Sequence, residues 1–388
     1  MIIRKKKAFT FALSNDKAAR MLSKRTISIL LPDLRGGGVE RIRLALAEQF
    51  AQAGHRVEFI LMQTHGELIA EARERFSVIG LDVSRARSLV APLSRYITTA
   101  KPDVLLAAMW PLTVIAPLAA RLSRHRCMVL VSEHNQLSVQ YKSRGALHNA
   151  ALRLSMAAGY RMADARVAVS KGVADDLAHL SGLSRKKFRV IHNPIANRVR
   201  DSSERTAHSL KRWGTAEGKR VITVGSFKAQ KNHALLLDAF HAIAGPEDRL
   251  MLLGSGPLEG ELRAQARHLG LAQKVIFAGF QPDPTPFYET ADLFVLSSDY
   301  EGFGNVIVEA LAAGTPVVST DCPSGPAEIL KDGKFGTLVP VSDKKALAAA
   351  MQKSMKTPLD GDKLRNRAAD FSPERAAHSY LAALGLSL

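Results

Sequence analysis

Short apolar runs alternate with longer stretches of helical periodicity along most of the chain. Residues 27–31 form the first apolar run and predict a buried strand. Three glycines at positions 36–38 then predict a turn, and residues 39–53 have the spacing of an amphipathic helix that ends at Gly54. The alternation continues as far as residue 180. Strands separated by helices in this way favour a parallel sheet with helices on both of its faces.

The same alternation begins again near residue 220, after an interruption. Asn193 and Pro194 mark a boundary, because proline disfavours helical backbone in the residue before it, and a polar, charged stretch follows at residues 197–219. Apolar runs then recur at residues 220–225, 250–253, 275–278 and 293–297. The sequence therefore predicts an α/β protein with two doubly wound, Rossmann-like domains that face each other across a cleft.

Length and composition limit the class of protein. A chain of 388 residues is too long for one ordinary core and indicates two domains. No uncharged apolar run approaches the roughly 18 residues that would cross a bilayer. Only Cys127 and Cys322 are present, far apart in sequence, so we expect neither a disulfide framework nor a zinc site. A reducing cytoplasm is the expected compartment.

Positive charge is concentrated in the first half of the chain. Residues 1–200 contain 33 Lys and Arg against 14 Asp and Glu, a net charge of +19, whereas residues 201–388 contain 21 against 22. Such a field attracts polyanions, and composition leaves open an anionic membrane surface, a pyrophosphate-linked lipid acceptor or nucleic acid. Nucleic acid is not expected, since aromatic content is 6% and the basic half has no zinc-finger or aromatic-basic motif. The basic leader at residues 1–25 lacks the pattern of a secretory signal.

Two glutamates flank a glycine turn in the second half. Glu301 precedes Gly302 and Gly304, and Glu309 follows them in a run of helical character that Gly314 ends. Where a strand passes into a helix, glycines allow close approach of a ligand and unpaired amide N–H groups favour an anion. Carboxylates accept hydrogen bonds from vicinal hydroxyls, so the segment fits a nucleotide sugar whose diphosphate lies between the two acids. The simpler alternative is that the glutamates only cap the helix.

Residues 301–309, together with residues 314–318, resemble the E-x7-E motif of the retaining nucleotide-sugar glycosyltransferases of family 4. Three further segments resemble the same family in the expected order, and the resemblance extends over nearly all of the chain after residue 26. These segments are residues 36–40, 224–232 and 321–329. Four matching segments make a helix cap alone an insufficient explanation of the glutamates.

The resemblance implies the GT-B architecture, in which an N-terminal domain binds the acceptor and a C-terminal domain binds the donor. We therefore expect an acceptor domain at residues 26–195, a donor domain at residues 196–370, and a helix at residues 371–388 that returns to the first domain. The resemblance also implies retaining, metal-independent transfer of a hexose-type sugar from a nucleoside diphosphate sugar, with UDP as the preferred nucleotide. No cofactor is expected.

The resemblance assigns roles to individual residues. Lys231 would stabilise negative charge on the departing diphosphate, Glu301 would position the sugar and Glu309 would bind the ribose. His134, after a predicted strand of the first half, matches a family histidine near the transferred sugar, and its alternative role is structural. The other expected contacts to the nucleotide sugar are Gly37, Gly38, Ser226, Gly279, Phe280, Gly302, Phe303, Gly304, Asn305 and Val306.

One position departs from the family pattern. Ser226 stands where the family usually has arginine, and the sequence leaves open whether Lys228 replaces that phosphate-binding cation. Two other functions also remain open: a nucleotide-sugar 2-epimerase of the same architecture, which needs no acceptor, and a basic nucleic-acid-binding protein, which charge alone would favour. The sequence favours transfer to a lipid-linked, lipopolysaccharide or exopolysaccharide glycan, by a cytoplasmic protein that is peripheral to the inner face of the cytoplasmic membrane.

Overall fold

The computed structural model describes residues 24–195, 203–214 and 217–386. The chain forms two compact units, each considered by itself. The first contains residues up to Val169, then Val173–Pro194 and Pro373–Leu388, and the second contains Ser170–Gly172 and Ile195–Ser372. Of the predicted leader at residues 1–25, all but the last two residues lie outside the described part of the chain.

A parallel sheet of seven described strands forms the centre of the first unit. Its strands are β1 (Thr26–Leu31), β2 (Arg56–Leu61), β3 (Ser77–Gly80), β4 (Val104–Ala108), β5 (Met128–Glu133), β6 (Ala165–Ala168) and β7 (Arg189–Val190). They lie in the order β3-β2-β1-β4-β5-β6-β7, and Ile29 pairs with Phe59 on one side and Leu106 on the other. The strands are nearly continuous apolar runs because a parallel sheet of this kind is buried on both faces.

The described helices of the first unit connect these strands. They are α1 (Gly38–Gln52), α2 (Ile69–Arg75), α3 (Val90–Ala100), α4 (Leu112–Leu122), α5 (Leu137–Gln140), α6 (Ala146–Met162) and α7 (Lys171–Ser181). Helix α1 forms because Ile42, Leu46 and Phe50 recur at intervals of four residues, and all three are buried in the core. No helix in the described ranges is both long and apolar enough to cross a bilayer.

The second unit repeats this topology with six described strands. They are β8 (Arg220–Val224), β9 (Arg249–Leu253), β10 (Val275–Gly279), β11 (Leu293–Leu296), β12 (Val317–Thr320) and β13 (Thr337–Val339), in the order β10-β9-β8-β11-β12-β13. The helices are α8 (Ser203–Trp213), α9 (His233–Ile243), α10 (Glu259–His268), α11 (Thr285–Glu289), α12 (Asn305–Ala313), α13 (Pro326–Leu330), α14 (Lys344–Lys356) and α15 (Gly361–Ala368). The predicted α/β fold with two Rossmann-like sheets is confirmed.

The order of the strands reverses between β8 and β11, which are neighbours in the second sheet. Connections leave the two strands in opposite directions at such a point, so their carboxyl ends leave a crevice where open α/β sheets bind ligands. The loop after β8 carries Lys231 and the loop after β11 carries Glu301. The topology therefore brings two of the predicted site residues to one edge of the sheet.

The last described helix, α16 (Pro373–Ala383), belongs to the first unit. It packs against α1, and its Tyr380 and Leu381 are part of the core of that unit. The guanidinium of Arg43 lies 5.3 Å from the centre of the Tyr380 ring, within the range of a cation–π interaction. The predicted return of the terminal helix to the first domain is confirmed.

We expect the substitution Tyr380→Ala to lower the free energy of unfolding of the first unit by about 3–5 kcal/mol, because it leaves a cavity in a packed core. The chain contains two tryptophans, Trp110 in the first unit and Trp213 in the second. Urea unfolding followed by fluorescence in a Trp213→Phe background therefore reports on the first unit alone. The control is His378→Ala, an exposed position on the same helix. Equal stability of the two variants would contradict a core role for α16.

Candidate functional site

Lys231 is held in a short, well-defined loop between β8 and α9. Residues Ala229–Lys231 form a single 3-10 turn, and Asn232 follows in the left-handed conformation with φ 43°. The Asn232 side chain accepts a hydrogen bond from the backbone N–H of Leu235 and so caps the start of α9. The cap fixes the backbone directly after Lys231, which limits where its ammonium group can reach.

The ammonium group of Lys231 forms an ion pair with Glu301. The Nζ–Oε1 distance is 2.6 Å, and the two side chains are only 18% and 8% exposed. Ser298 Oγ donates a second hydrogen bond to the same carboxylate oxygen at 2.7 Å. Charges this far from water must be paired, because removing one partner leaves the other buried and uncompensated. Sequence reasoning missed Ser298, and its spacing of three residues before Glu301 was the available signal.

Four further hydrogen bonds join the loops that follow β8 and β11. Backbone groups contribute one, from the N–H of Asp299 to the carbonyl of Gln230 at 2.9 Å. Side chains contribute three: Gln230 Nε2 to the Tyr300 carbonyl at 2.8 Å, Asn232 Nδ2 to Asp299 Oδ1 at 2.9 Å, and Ser297 Oγ to the Lys231 carbonyl at 2.9 Å. The ion pair therefore lies in a preorganised frame and does not depend on two flexible side chains meeting by chance.

The predicted glycine turn leads from Glu301 into α12. Gly304 precedes the helix with φ 96°, a conformation that L side chains rarely adopt, and no described side chain caps this helix end. The backbone at Gly325 packs directly against the turn, because a Cβ built at this glycine would lie 1.8 Å from the carbonyl oxygen of Phe303. The carbonyl of Gly302 accepts hydrogen bonds from Ser170 Oγ at 2.7 Å and Ser324 Oγ at 3.0 Å. These contacts fix the turn and leave room only for glycine at position 325.

Glu309 lies in the second turn of α12 and is oriented by a buried tyrosine. Tyr288 Oη donates to Glu309 Oε2 at 3.0 Å, and the tyrosine is 1% exposed. Burial, and then the charge of Glu309, raises the pKa of Tyr288 well above its usual value, so the phenol keeps its proton and remains a donor. Sequence reasoning missed Tyr288, although a buried tyrosine hydroxyl generally requires a partner.

Three other predicted contacts lie on neighbouring loops of the second unit. Ser226 follows β8, and its carbonyl accepts a hydrogen bond from the N–H of Lys228, whose side chain is exposed. Gly279 ends β10 with φ 73°, and the Phe280 ring that follows is 54% exposed. An exposed aromatic ring at the carboxyl end of a strand is available to a ligand, so the contact of Phe280 with a nucleotide base stays a prediction.

Asn305 and Val306 are the first two residues of α12, in the second unit, and the other predicted residues belong to the first unit. Gly37 precedes α1 and Gly38 is its first residue, so this pair lies at a helix N-terminus as expected. His134 follows β5 and is buried, with Nε2 at 3.1 Å from Arg43 Nη2. Since a guanidinium can only donate, His134 Nε2 is the acceptor. Burial, then the charge of Arg43, lowers the pKa of His134 well below its usual value, and Asn193 opposes this shift.

The potential metal ligands and the cysteines of the described residues were located as well. No group of three or more His, Cys, Asp and Glu side chains in those ranges is placed to hold a metal ion. Cys127 and Cys322 are both buried free thiols, and burial raises the pKa of Cys322 to about 12. The charged groups that the geometry brings together at the candidate site are one ammonium group and two carboxylates near the start of α12.

Family models match both halves of the chain. The model described as Glycosyltransferase Family 4 matches residues 36–197, and the model described as Glycosyl transferases group 1 matches residues 209–375. The chain belongs to the group 1, family 4 glycosyltransferases. All the predicted site residues of this glycosyltransferase lie within the two matched regions.

Two curated relatives are each 30% identical to this glycosyltransferase. One is the lipopolysaccharide core biosynthesis glycosyltransferase LpsE of Rhizobium meliloti, over 361 residues that cover 89% of this chain and 95% of LpsE. The other is the N-acetylgalactosamine-N,N'-diacetylbacillosaminyl-diphospho-undecaprenol 4-alpha-N-acetylgalactosaminyltransferase of Campylobacter jejuni, over 259 residues that cover 67% of this chain and 68% of the relative.

Solved structures confirm the GT-B architecture of this glycosyltransferase. HepE of Anabaena in complex with UDP superimposes with a TM-score of 0.77 at 22% identity, over 92% of this chain and 99% of HepE. The lipopolysaccharide outer core galactosyltransferase WaaB in its apo form superimposes with a TM-score of 0.72 at 19% identity, over 92% and 99% of the two chains. At these identities the likeness shows the fold alone.

His233, which begins α9 beside Lys231, generates a prediction about pH. Burial, then the charge of Lys231, lowers the pKa of His233 from 6.5 to about 4. Between these values the unfolded chain binds a proton that the folded chain does not, so stability falls as pH falls from 6.5 to 4, by up to about 1.4 kcal/mol per pH unit.

We expect His233→Phe to reduce this acid sensitivity, because phenylalanine cannot take up the proton. The measurement is the free energy of unfolding in urea at several pH values within that interval. His241→Phe is the matched control, since His241 is exposed on the same helix and should leave the dependence as it is in the wild type. An unchanged slope in the His233 variant would show that this histidine is not the group responsible.

Proposed function

We propose that the protein is a retaining, metal-independent glycosyltransferase that transfers a hexose-type sugar from a UDP-sugar to an acceptor hydroxyl. The observation that carries the proposal is the Lys231–Glu301 ion pair at the carboxyl ends of β8 and β11, with Glu309 on the helix that follows. Open α/β sheets bind ligands at this reversal of strand order, and the groups there have the charges that a nucleotide sugar requires.

Lys231 has the role of stabilising the leaving diphosphate. Negative charge grows on the diphosphate as the bond to the sugar breaks, and an ammonium group already fixed in place stabilises that charge without reorganisation. Glu301 and Ser298 provide the fixing, through the hydrogen bonds to Glu301 Oε1. Glu301 Oε1 already accepts hydrogen bonds from Lys231 Nζ and Ser298 Oγ. We therefore assign the other carboxylate oxygen, Glu301 Oε2, to a hydroxyl of the transferred sugar.

Glu309 is assigned to the ribose. A carboxylate suits two vicinal hydroxyls, and the Tyr288 hydroxyl orients it from the buried side of α12. Gly302, Phe303, Gly304, Asn305 and Val306 lie between the two acids, where backbone N–H groups at the helix start favour the diphosphate. Gly279 and Phe280 are assigned to the base, and Ser226 to the loop that faces the diphosphate.

His134 is assigned a positioning role rather than that of a general base. Its pKa lies well below the usual value and its Nε2 lone pair accepts from Arg43, so it is a poor proton acceptor at neutral pH. Among the residues that the structure describes, we assign no other side chain as a dedicated base. We therefore assign the acceptor's proton to the leaving phosphate, in a front-face attack that retains the configuration of the sugar. Gly37 and Gly38 are assigned to the approach of backbone to the diphosphate.

The names of relatives support the choice of donor and acceptor. HepE was solved with UDP, and also with UDP and glucose, which supports a UDP-hexose as donor. LpsE is named for lipopolysaccharide core biosynthesis, and the Campylobacter enzyme for an undecaprenol-linked diphosphate acceptor. We assign a lipid-linked, lipopolysaccharide or exopolysaccharide glycan as acceptor, and a peripheral position at the inner face of the cytoplasmic membrane. The net charge of +19 over residues 1–200 supports that position and requires no nucleic acid.

We expect Lys231→Met to lower kcat/KM for transfer by about 10²–10³-fold, the range found when one donor that stabilises developing charge is removed. The measurement is release of UDP from a UDP-sugar in the presence of acceptor. Lys344→Met is the control, because Lys344 is exposed at the start of α14 and should keep full activity. Wild-type activity of the Lys231 variant would refute the assignment. Conversion of the donor to a second nucleotide sugar without acceptor would indicate the 2-epimerase instead.

We expect Glu309→Gln to weaken binding of UDP-sugar by about 10–100-fold, the range for loss of a hydrogen bond to a charged group. Tyr288→Phe should weaken binding less, because the carboxylate remains but is no longer oriented. Calorimetric titration measures both. The control ligand is a donor analogue whose ribose lacks both hydroxyls, for which the wild type and the Glu309 variant should have equal affinity. A tenfold or greater difference for that analogue would contradict the assignment of Glu309 to the ribose.

A further inference from the structure

One face of helix α6 is both apolar and exposed. Leu147 is 90% exposed and Leu154 is 72% exposed, and they lie seven residues apart on one side of the helix. Ala150, Ala151 and Ala158 share that side and are also exposed. This set of five residues, the exposed face of α6, extends for about 16 Å along the helix.

The opposite side of α6 is packed against the unit. Leu152, Met156 and Tyr160 are buried there, and Gly159 allows close approach to α4, since a Cβ at this glycine would lie 2.7 Å from the backbone of Val114. Helix α6 is therefore apolar on both sides, although only one side is covered by the protein. An uncovered apolar stripe of this kind indicates a surface that binds something else.

Exposed apolar side chains are concentrated in this part of the first unit. Among the described residues, eight large apolar side chains are exposed, and five of them lie between positions 118 and 154. Besides Leu147 and Leu154, these are Leu118, Leu122 and Val139, and the first two are on α4, beside α6. The concentration distinguishes the region from the scattered exposed leucines that any protein has.

Charge in the same region is almost entirely positive. Residues 104–163 contain one acidic residue, Glu133, which is 2% exposed. The basic residues in this range are Arg121, Arg124, Arg126, Lys142, Arg144, Arg153 and Arg161, all exposed. Lys142 and Arg144 lie in the turn directly before α6, Arg153 lies beside its exposed face and Arg161 lies in its last turn. Basic groups therefore lie on several sides of the apolar stripe. The neighbouring helix α7, which Arg153 contacts through His179, adds one exposed carboxylate, Asp175, and this carboxylate is paired with Arg185.

A half-buried aromatic cluster lies at the start of the same helix. The rings of Trp110 and Tyr141 are 5.3 Å apart, and that of His148, on α6, lies 5.6 Å from Trp110 and 5.1 Å from Tyr141. Trp110 Nε1 also donates to Ser155 Oγ on α6 at 3.1 Å. Amphipathic aromatic rings are typical of surfaces that lie at the boundary between water and lipid.

We propose that the exposed face of α6, with its basic surroundings, binds the surface of an anionic phospholipid bilayer. Leucine and alanine would enter the boundary between headgroups and acyl chains while the arginines and lysines contact lipid phosphates. The net positive charge of this region favours this occupant over a second copy of the chain, because two such surfaces would repel each other. The inference builds on the peripheral membrane position proposed above and names the surface responsible.

The test is co-flotation of the full-length protein with vesicles of phosphatidylcholine alone and of an equimolar mixture with phosphatidylglycerol, at low and high salt. The wild type should bind the mixed vesicles, and more weakly at high salt. Leu147→Glu combined with Leu154→Glu should weaken binding at least about tenfold, since it removes the apolar contact and adds repulsion. Leu147→Ser with Leu154→Ser should weaken binding without adding charge, and circular dichroism should show that both variants are folded.

The apolar and the basic residues of the proposed surface are each tested against a matched control in the second unit. Leu359→Glu changes an exposed leucine there and should bind vesicles as the wild type does. Lys142→Gln with Arg144→Gln should weaken binding to mixed vesicles about tenfold, whereas Lys353→Gln with Lys356→Gln on α14 should not. Donor affinity, measured by calorimetry with a UDP-sugar, should be unchanged in all variants, so a failure of this inference is distinguishable from a failure of the proposed activity.

Three results would overturn the inference. Wild-type vesicle binding by the Leu147→Glu and Leu154→Glu variant would show that other segments, such as the basic leader at residues 1–25, hold the protein alone. An equal loss in Leu359→Glu would show that any exposed leucine contributes. If light scattering shows a dimer that the leucine variant dissociates while vesicle binding persists, the exposed face of α6 belongs to a second copy of the chain.

Discussion

The contact between the Lys231 ammonium and the Glu301 carboxylate is the constraint on which the second unit depends. The two residues lie 70 positions apart in the sequence, on loops that follow the two strands at the reversal of sheet order. Each charge is largely removed from water, so neither loop can adopt its position without the other. The hydrogen bonds through Gln230, Asn232 and Ser297 then hold the loops in register. The pair to which we assign the charge for chemistry also connects the two loops and keeps this charge in place.

Much of the fold could be predicted from the sequence, because a doubly wound sheet requires apolar strands to alternate regularly with turns and amphipathic helices. Apolar runs such as residues 27–31 and 293–297 become buried strands, and a glycine such as Gly304 marks a turn that other residues enter only with strain. Less of the candidate site could be predicted from the sequence. Tyr288 contacts Glu309 across 21 positions and Arg43 contacts His134 across 91, and both contacts depend on how whole elements pack. Periodicity predicts which face of a helix is buried but not which side chain meets which across the interior.

Helix α6 gives a second example of what the sequence does not predict, namely which of its apolar residues are exposed. Its sequence is apolar around most of the helix, a pattern that is typical of a helix buried on all sides. Only the structure shows that Leu152 and Met156 are covered while Leu147 and Leu154 are not. An apolar residue that is exposed in the fold cannot be recognised from its identity, since the same leucine serves a core and a lipid surface equally well.

In the first unit, burial affects the pKa values of Glu133 and His134 more than their charged or hydrogen-bonded neighbours do. Burial raises the pKa of Glu133 to about 8 and lowers that of His134, so both side chains favour their uncharged forms near neutral pH. The guanidinium of Arg43 donates a hydrogen bond to His134. An uncharged, oriented imidazole can hold a hydroxyl in place but cannot readily take its proton.

The two units therefore use charge in different ways. The excess of the first half, +19 over residues 1–200, comes from many side chains along the sequence, and most of those in the described ranges are exposed. Such a field acts over a surface and weakens with salt. The second half has almost no net charge, and its site depends on one ammonium group compensated by one carboxylate. A compensated pair attracts little from a distance but acts strongly on a charge that develops beside it, since little water is present to screen it. A dispersed field is suited to attachment and a compensated pair to catalysis, so a surface charge of the first unit can change without altering the chemistry of the second.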